Sequence, residues 1–139
     1  MMSVNSRFIK PGLMKLLGAG LVLPLCAVLA TGCSQRNAPV SYKETIAPLL
    51  TEHCGRCHVG GGKGTQKSGF AMDSYEQLLA GTHIGPVIKP GDATGSTLLS
   101  LVEGRADPAI RMPLDGHNPL KPNEIKLLRQ WISEGAKNN

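Results

Sequence analysis

Residues Thr51–Gly64 read TEHCGRCHVGGGKG: two cysteines separated by two residues, a histidine directly after the second, then a glycine-rich run. Four chemistries compete for this stretch. A phosphate loop needs Gly, four residues, then Gly-Lys-Ser/Thr, so that backbone amides cradle the phosphates. Here Gly62-Lys63 is followed by Gly64, and Cys57 stands where the first glycine belongs, so the pattern fails. A redox dithiol needs its Cys-x-x-Cys beside a strand in a βαβ framework; this pair follows an apolar helical stretch in a chain without strand alternation. A structural zinc site wants four ligands, usually as two spaced pairs, whereas His83 and His117 stand alone and Cys57 and His58 are adjacent. A covalent haem accounts for every residue of the pentad. Cys54 and Cys57 can add across two vinyl groups on one haem edge, and His58 then faces the iron as proximal ligand.

The N-terminus has a different character. Arg7, Lys10 and Lys15 precede the uncharged run Leu16–Ala30, LLGAGLVLPLCAVLA, with no acid among them. Its 15 residues fall short of the roughly 20 that a membrane-spanning helix needs, and it ends in small residues. Residues 1–32 therefore read as a secretory signal peptide. The end of that segment, LATGC, resembles the lipobox of bacterial lipoproteins, which implies cleavage after Gly32 and acylation of Cys33. Ala30 stands where the commonest lipobox has leucine. Ordinary cleavage, leaving Cys33 as a spare thiol, is the competing reading. Acyl chains at about 0.8 kcal/mol per buried methylene would tether the protein to a membrane almost permanently.

Once residues 1–32 are set aside, the charge balance changes. The formal charge of the 139-residue chain is +5, but twelve of the fifteen basic residues and all ten acids lie beyond the signal, leaving +2. No basic cluster is interleaved with aromatics, so nucleic acid is not expected as a partner. Lys63 and Lys67 read as a solvated surface in a glycine-rich loop. A little over a hundred residues remain, with one Trp, two Tyr and one Phe. A domain of that size buries only about two thirds of its unfolded surface, and a bound haem would supply part of the missing core.

The rest predicts an all-α domain over 40–139 of about four helices joined by wrapping loops, preceded by a tether at 33–39. Ser41 and Glu44 form a capping-box pattern for a helix over 42–52, with Pro48 bending it or marking its true start. Gly55–Gly69 reads as loop. Asp73 and Glu76 repeat the capping pattern before SYEQLLA, which Gly81 would end in a left-handed cap. Ser96–Val102 is a third short helix, stopped by Gly104. An unpatterned, proline-containing stretch follows, and such connections in small domains are usually functional. The last helix starts with Pro122 at its first position and Glu124 in its first turn, and sets Ile125, Leu128, Trp131 and Ile132 on one face to about Glu134.

With these segments in hand, the chain resembles the class I c-type cytochromes, and more closely the single-haem domain of the planctomycete-type cytochrome c group. The resemblance rests on five stretches in order: IAPLLTEHCGRCH, GFAMDSYEQLLAG, IKPGDATGSTLLSLV, RMPLDGHNPL and EIKLLRQWISEGA. It implies one covalent haem c on Cys54 and Cys57, with His58 as proximal ligand and Met112, 55 residues after Cys57, at the position of the sixth ligand. Pro113 would stiffen the loop that holds it. Met72 lies where the family has an apolar core residue. His117 is the rival sixth ligand and His83 a weaker one; His53 stands too close to the attachment motif to reach the opposite face.

Met/His ligation raises the iron potential and leaves no open coordination position. The expected protein is then an extracytoplasmic electron carrier for redox partner proteins, held at a membrane through Cys33, and not an enzyme. Two other readings remain: a five-coordinate haem enzyme or gas sensor, and a haem subunit docked in a larger oxidoreductase. A dihaem peroxidase would need a second Cys-x-x-Cys-His. Ile46, Leu50, Leu98, Leu101, Leu128 and Trp131 are the candidate core, packing on the haem or where the first and last helices cross.

Overall fold

A computed structural model describes residues 38–139. The signal segment 1–32, Cys33 and the tether as far as residue 37 lie outside the described residues. Among the latter there are five α-helices, one π-helical turn and one 3₁₀ turn, and no strand beyond an isolated bridge between Thr82 and Gly85. The helices are α1 (Ala47–His58), α2 (Lys63–Ser68), α3 (Tyr75–Ala80), α4 (Thr97–Val102) and α5 (Pro122–Ser133). The fold class is all-α as expected, with one helix more than the sequence predicts.

The first helix differs most from expectation. It starts as a π-turn over Tyr42–Ile46, and α1 then runs to His58, six residues past the predicted end at 52. Pro48 explains the wide turn: its ring crowds the carbonyl four residues back, and it has no N–H to offer. The i→i−5 bonds Ile46 N–H to Ser41 O and Ala47 N–H to Tyr42 O carry the chain past that point. Ser41 caps the turn by accepting from the Glu44 amide at 3.2 Å. Thr51 bonds back to the Ala47 carbonyl at 2.8 Å. Helix α1 ends where Val59 becomes extended and Gly60 and Gly61 take positive φ, +62° and +71°.

That reversal folds α2 back on the end of α1. The approach is so close that a Cβ at Gly62 would lie 2.6 Å from the Cys57 carbonyl oxygen. Lys63 and Lys67 therefore sit on a helix rather than in a loop. For α3 the cap is Ser74, which accepts from the Gln77 amide at 3.2 Å; Asp73 instead accepts from Gly60 N–H at 2.6 Å, tying the reversal to the segment before α3. Gly81 does have positive φ, but its ψ of −134° is not that of a left-handed helical cap. Helix α4 begins at Thr97 with Ser96 as the flanking residue, and the unpatterned stretch holds the 3₁₀ turn Pro108–Ile110.

The core forms where the π-turn, α4 and α5 meet. Tyr42 stacks on Trp131 at a centroid distance of 5.6 Å, and Tyr75 meets Tyr42 edge-on at 5.1 Å. Ile46, Leu50, Leu98, Leu128, Trp131 and Ile132 are buried, while Leu101 stays partly exposed. Buried Trp131 donates its ring N–H to Lys137 O and partly buried Tyr75 its hydroxyl to Ala136 O, so neither ring leaves a polar atom unpaired. Asn139 joins the two ends of the domain: its carbonyl accepts from Lys43 N–H and Ser41 Oγ, and its side chain pairs with Tyr42 N–H and Val40 O.

Candidate haem site

Because α1 continues through the pentad, Cys54, Cys57 and His58 occupy one turn of one helix. Side chains three and four residues apart share a helical face, so the i, i+3, i+4 spacing sets the two thiols and the imidazole on the same side. Cys54 is half-buried and Cys57 exposed, and the two are free thiols. Burial, and then the neighbouring Cys57, push the Cys54 thiol up to about 11. A redox dithiol needs the opposite shift, toward thiolate at neutral pH.

The His58 ring is buried at 8 % exposure. Its Nδ1 lies 2.9 Å from the Phe70 carbonyl oxygen, an acceptor, so Nδ1 carries the proton and Nε2 keeps its lone pair. Nε2 forms no hydrogen bond among the described residues. Such a tautomer, fixed by a backbone carbonyl, is the arrangement by which metal-binding histidines are oriented. Phe70 also packs its ring edge-on against the imidazole at 5.1 Å. The Phe70 carbonyl accepts a second bond from Thr65 Oγ1 at 2.9 Å, and Met72 N–H returns to His58 O at 2.8 Å. Space at the ring depends on Gly64, where a Cβ would come within 2.6 Å of Cε1 and 2.7 Å of Nε2. Two thiols and one oriented imidazole on a single turn fit a covalently attached haem.

Met112 lies elsewhere, just after the 3₁₀ turn. Its amide donates to Leu101 O at 3.3 Å, and its side chain lines a mainly apolar cavity of about 410 Å³ with Pro86, Val87, Thr97, Leu101 and Ile110. None of Cys54, Cys57 and His58 lines that cavity. Cys57 instead faces a polar hollow with Arg56, Lys63, Gln66 and Asp115. The structure thus brings the three attachment residues together and leaves Met112 on a separate wall.

The other candidates are held for different ends. His83 is exposed and covers Gly69, where a Cβ would meet its ring at 2.6 Å. His117 is exposed, with its amide donating to Asp115 Oδ1 at 3.0 Å. Met72 is partly buried against the core. His53 is buried, bonded to Asn118 O and close to Glu124.

Sequence reasoning missed Phe70, Thr65 and Gly64. A backbone carbonyl has no side-chain signature, and Gly64 was hidden among neighbouring glycines. Glu124 is recognisable in the sequence as a helix-start residue, but its contact to His53 is not. Among the described residues, no helix is long and apolar enough to cross a membrane.

Comparison with known proteins agrees with this chemistry. The family model of planctomycete cytochrome C matches residues 54–116, from the first attachment cysteine to just past Met112. No curated protein and no solved structure matches the chain. The family implies haem c and haem-based electron transfer, and the spacing of Cys54 and Cys57 fits covalent attachment. Over residues 54–116 the chain is thus similar to the cytochrome c domain of the planctomycete type.

Proposed function

We propose that this protein is an extracytoplasmic single-electron carrier with one haem c, attached through Cys54 and Cys57 and ligated by His58 and Met112. The observation that carries the reading is the 2.9 Å contact from His58 Nδ1 to Phe70 O. It fixes the proton on the nitrogen away from the metal, on the same helical turn as both thiols. Haem, when bound, supplies a one-electron ferric/ferrous couple. The chain's own residues orient the ligand, exclude water and set the environment. His58 offers a lone pair from a ring that cannot rotate without losing its bond to Phe70, and Phe70 shields one side of it. Met112 supplies a soft thioether from a loop anchored to α4 through its own amide. Passing one electron between partner proteins then makes and breaks no bond and moves no proton.

The rest of the assignment follows the sequence. Residues 1–32 serve as an export signal, Cys33 as a lipidated N-terminus, 33–39 as a tether, and 40–139 as the haem domain, with redox proteins as partners and the cell envelope as location. Intact mass measurement of the protein taken from membranes tests these points together. One haem and an acylated Cys33 are expected; an unmodified N-terminus or a second haem contradicts them.

Five-coordinate haem that binds a small ligand is the second reading. It is favoured by one observation, that the Met112 cavity contains none of the attachment residues. A methionine-to-iron charge-transfer band that is present in wild type and lost in Met112→Ala supports six-coordination. Rapid carbon monoxide binding by the ferrous wild type, without that band, supports the alternative.

A further inference from the structure

His53 directly precedes the attachment cysteine and stands too close to it to reach the opposite haem face. The structure gives it other partners. Its side chain is 1 % exposed and sits between three parts of the chain. Nδ1 lies 2.7 Å from the backbone oxygen of Asn118. Nε2 lies 3.2 Å from Glu124 Oε2 on α5, an ionic contact without hydrogen-bond alignment, and has no other partner among the described residues.

Both groups facing the ring are acceptors. A neutral ring protonated on Nδ1 would turn a buried lone pair toward a carboxylate, and one protonated on Nε2 would turn a lone pair toward a carbonyl. Burying such a group unpaired is costly. Only the imidazolium, which donates from both nitrogens, suits both neighbours. Glu124 is its one ionic partner among the described residues and is itself held by Lys121, through the amide at 2.6 Å and the ammonium at 3.6 Å.

The Asn118 contact matters because of what else that loop carries. Asn118 takes positive φ, +46°, and its side chain reaches back to Glu52 O at 3.4 Å. Residues 52 and 53 of α1 therefore grip the loop together, six positions after Met112, and buried Leu120 follows. At its other end the loop is pinned by Met112 N–H to Leu101 O. Between the two pins, residues 114–117 are exposed.

We propose that His53 is a positioning residue that fixes the loop bearing Met112 to α1 and α5, so that the seating of the methionine thioether depends on this buried ring. The proposal rests on Met112 being the sixth ligand, and its test separates the two.

The test uses the haem-loaded protein. At a single pH, NMR relaxation in the diamagnetic ferrous state is expected to find the His117 and Asn118 amides as rigid as those of α1, and the ferric protein to show the methionine-to-iron band. His53→Ala removes the bond to Asn118 O, and loss of such a buried bond is worth about a fivefold change or more; it should loosen these two amides and weaken the band while amides elsewhere in the domain stay as in wild type. His53→Gln, which can again donate to that oxygen, should restore part of both. Unchanged loop amides and an unchanged band in His53→Ala, or a loosening spread evenly over the whole domain, overturns the proposal. A wild type lacking the band refutes Met112 ligation instead, and the loop amides then still decide the role of His53.

Discussion

Gly64→Ala tests whether the imidazole of His58 is held as described. Gly64 lies in the first turn of α2 with no positive φ to protect. Propensity alone therefore favours alanine there by about 0.5–1 kcal/mol. The added methyl would, however, meet Cε1 at 2.6 Å, Nε2 at 2.7 Å and the Cys57 carbonyl at 2.9 Å. Carbon contacts settle near ~3.5–4.0 Å, so the ring or the α2 backbone has to move by roughly 1 Å. Ring movement breaks the bond to Phe70; backbone movement opens the reversal after α1. Overpacking of this kind costs about 1–3 kcal/mol, and the propensity gain offsets only part of it. A net loss of about 1–2 kcal/mol, roughly 5–30-fold in the folded-to-unfolded ratio, should appear in urea unfolding of the haem-loaded protein, together with a shifted Soret band. Gly55→Ala is the control. There the methyl meets Thr51 Cγ2 at 3.4 Å and Val59 Cγ2 at 3.7 Å, ordinary contacts in a helix interior, and stability should rise by about 0.5–1 kcal/mol. If Gly64→Ala matches Gly55→Ala in stability and leaves the spectrum unchanged, the described packing of α2 on His58 is wrong.

Two further outcomes are expected. The Cys54→Ala/Cys57→Ala double variant, expressed under conditions that load wild type with haem, should lose most of its helical far-UV signal, because a domain this small needs the cofactor in its core; a native spectrum would refute that. Burial works to raise the Glu103 carboxyl, but bonds and charge from Arg105 and Arg129 outweigh it and hold the group below its ordinary 4.5. A depressed folded-state value means that the contribution is present above about pH 4.5 and is lost as pH falls through the lower folded value. Arg129→Leu should flatten that part of the acid unfolding curve, and identical acid limbs in variant and wild type would show that the contact is inert.

How far the fold can be read from the sequence depends on what holds each element. Helix α5 was legible almost to the residue because it is amphipathic: Leu128, Trp131 and Ile132 all lie against the core, with proline and glutamate in the opening turn. Helix α4 and its Ser96 boundary were legible for the same reason. The second half of α1 gave no such signal. Thr51–His58 contains a glycine and two cysteines, and its buried side chains include His53 and His58, which apolar periodicity does not count. Helix α2 has no buried residue at all, so nothing in its pattern distinguishes it from loop. It is held by Gly64 lying against His58 and by Thr65 bonding to Phe70, both tertiary contacts. The cap of α3 was within reach, since Ser74-x-x-Gln77 fits the capping pattern as well as Asp73-x-x-Glu76 does. Asp73 was taken up by Gly60.

The same division runs through the site. The attachment half could be read from side chains because thiol and imidazole chemistry is written in residue type and spacing. The supporting half could not, because the groups that orient His58 and seat the Met112 loop are the carbonyls of Phe70, Asn118 and Leu101, and any residue supplies a carbonyl. What selects these three is the path of the backbone: the glycine reversal at 60–62 brings Phe70 to His58, the positive φ of Asn118 turns its oxygen to His53, and the 3₁₀ turn at 108–110 returns Met112 to α4. The lone histidine at position 53 looked spare beside the attachment motif for the same reason, since its principal partner is an oxygen that no motif records. A buried polar side chain next to a functional motif, with no partner evident in the sequence, is thus a reason to expect that a distant loop carbonyl has been brought to it.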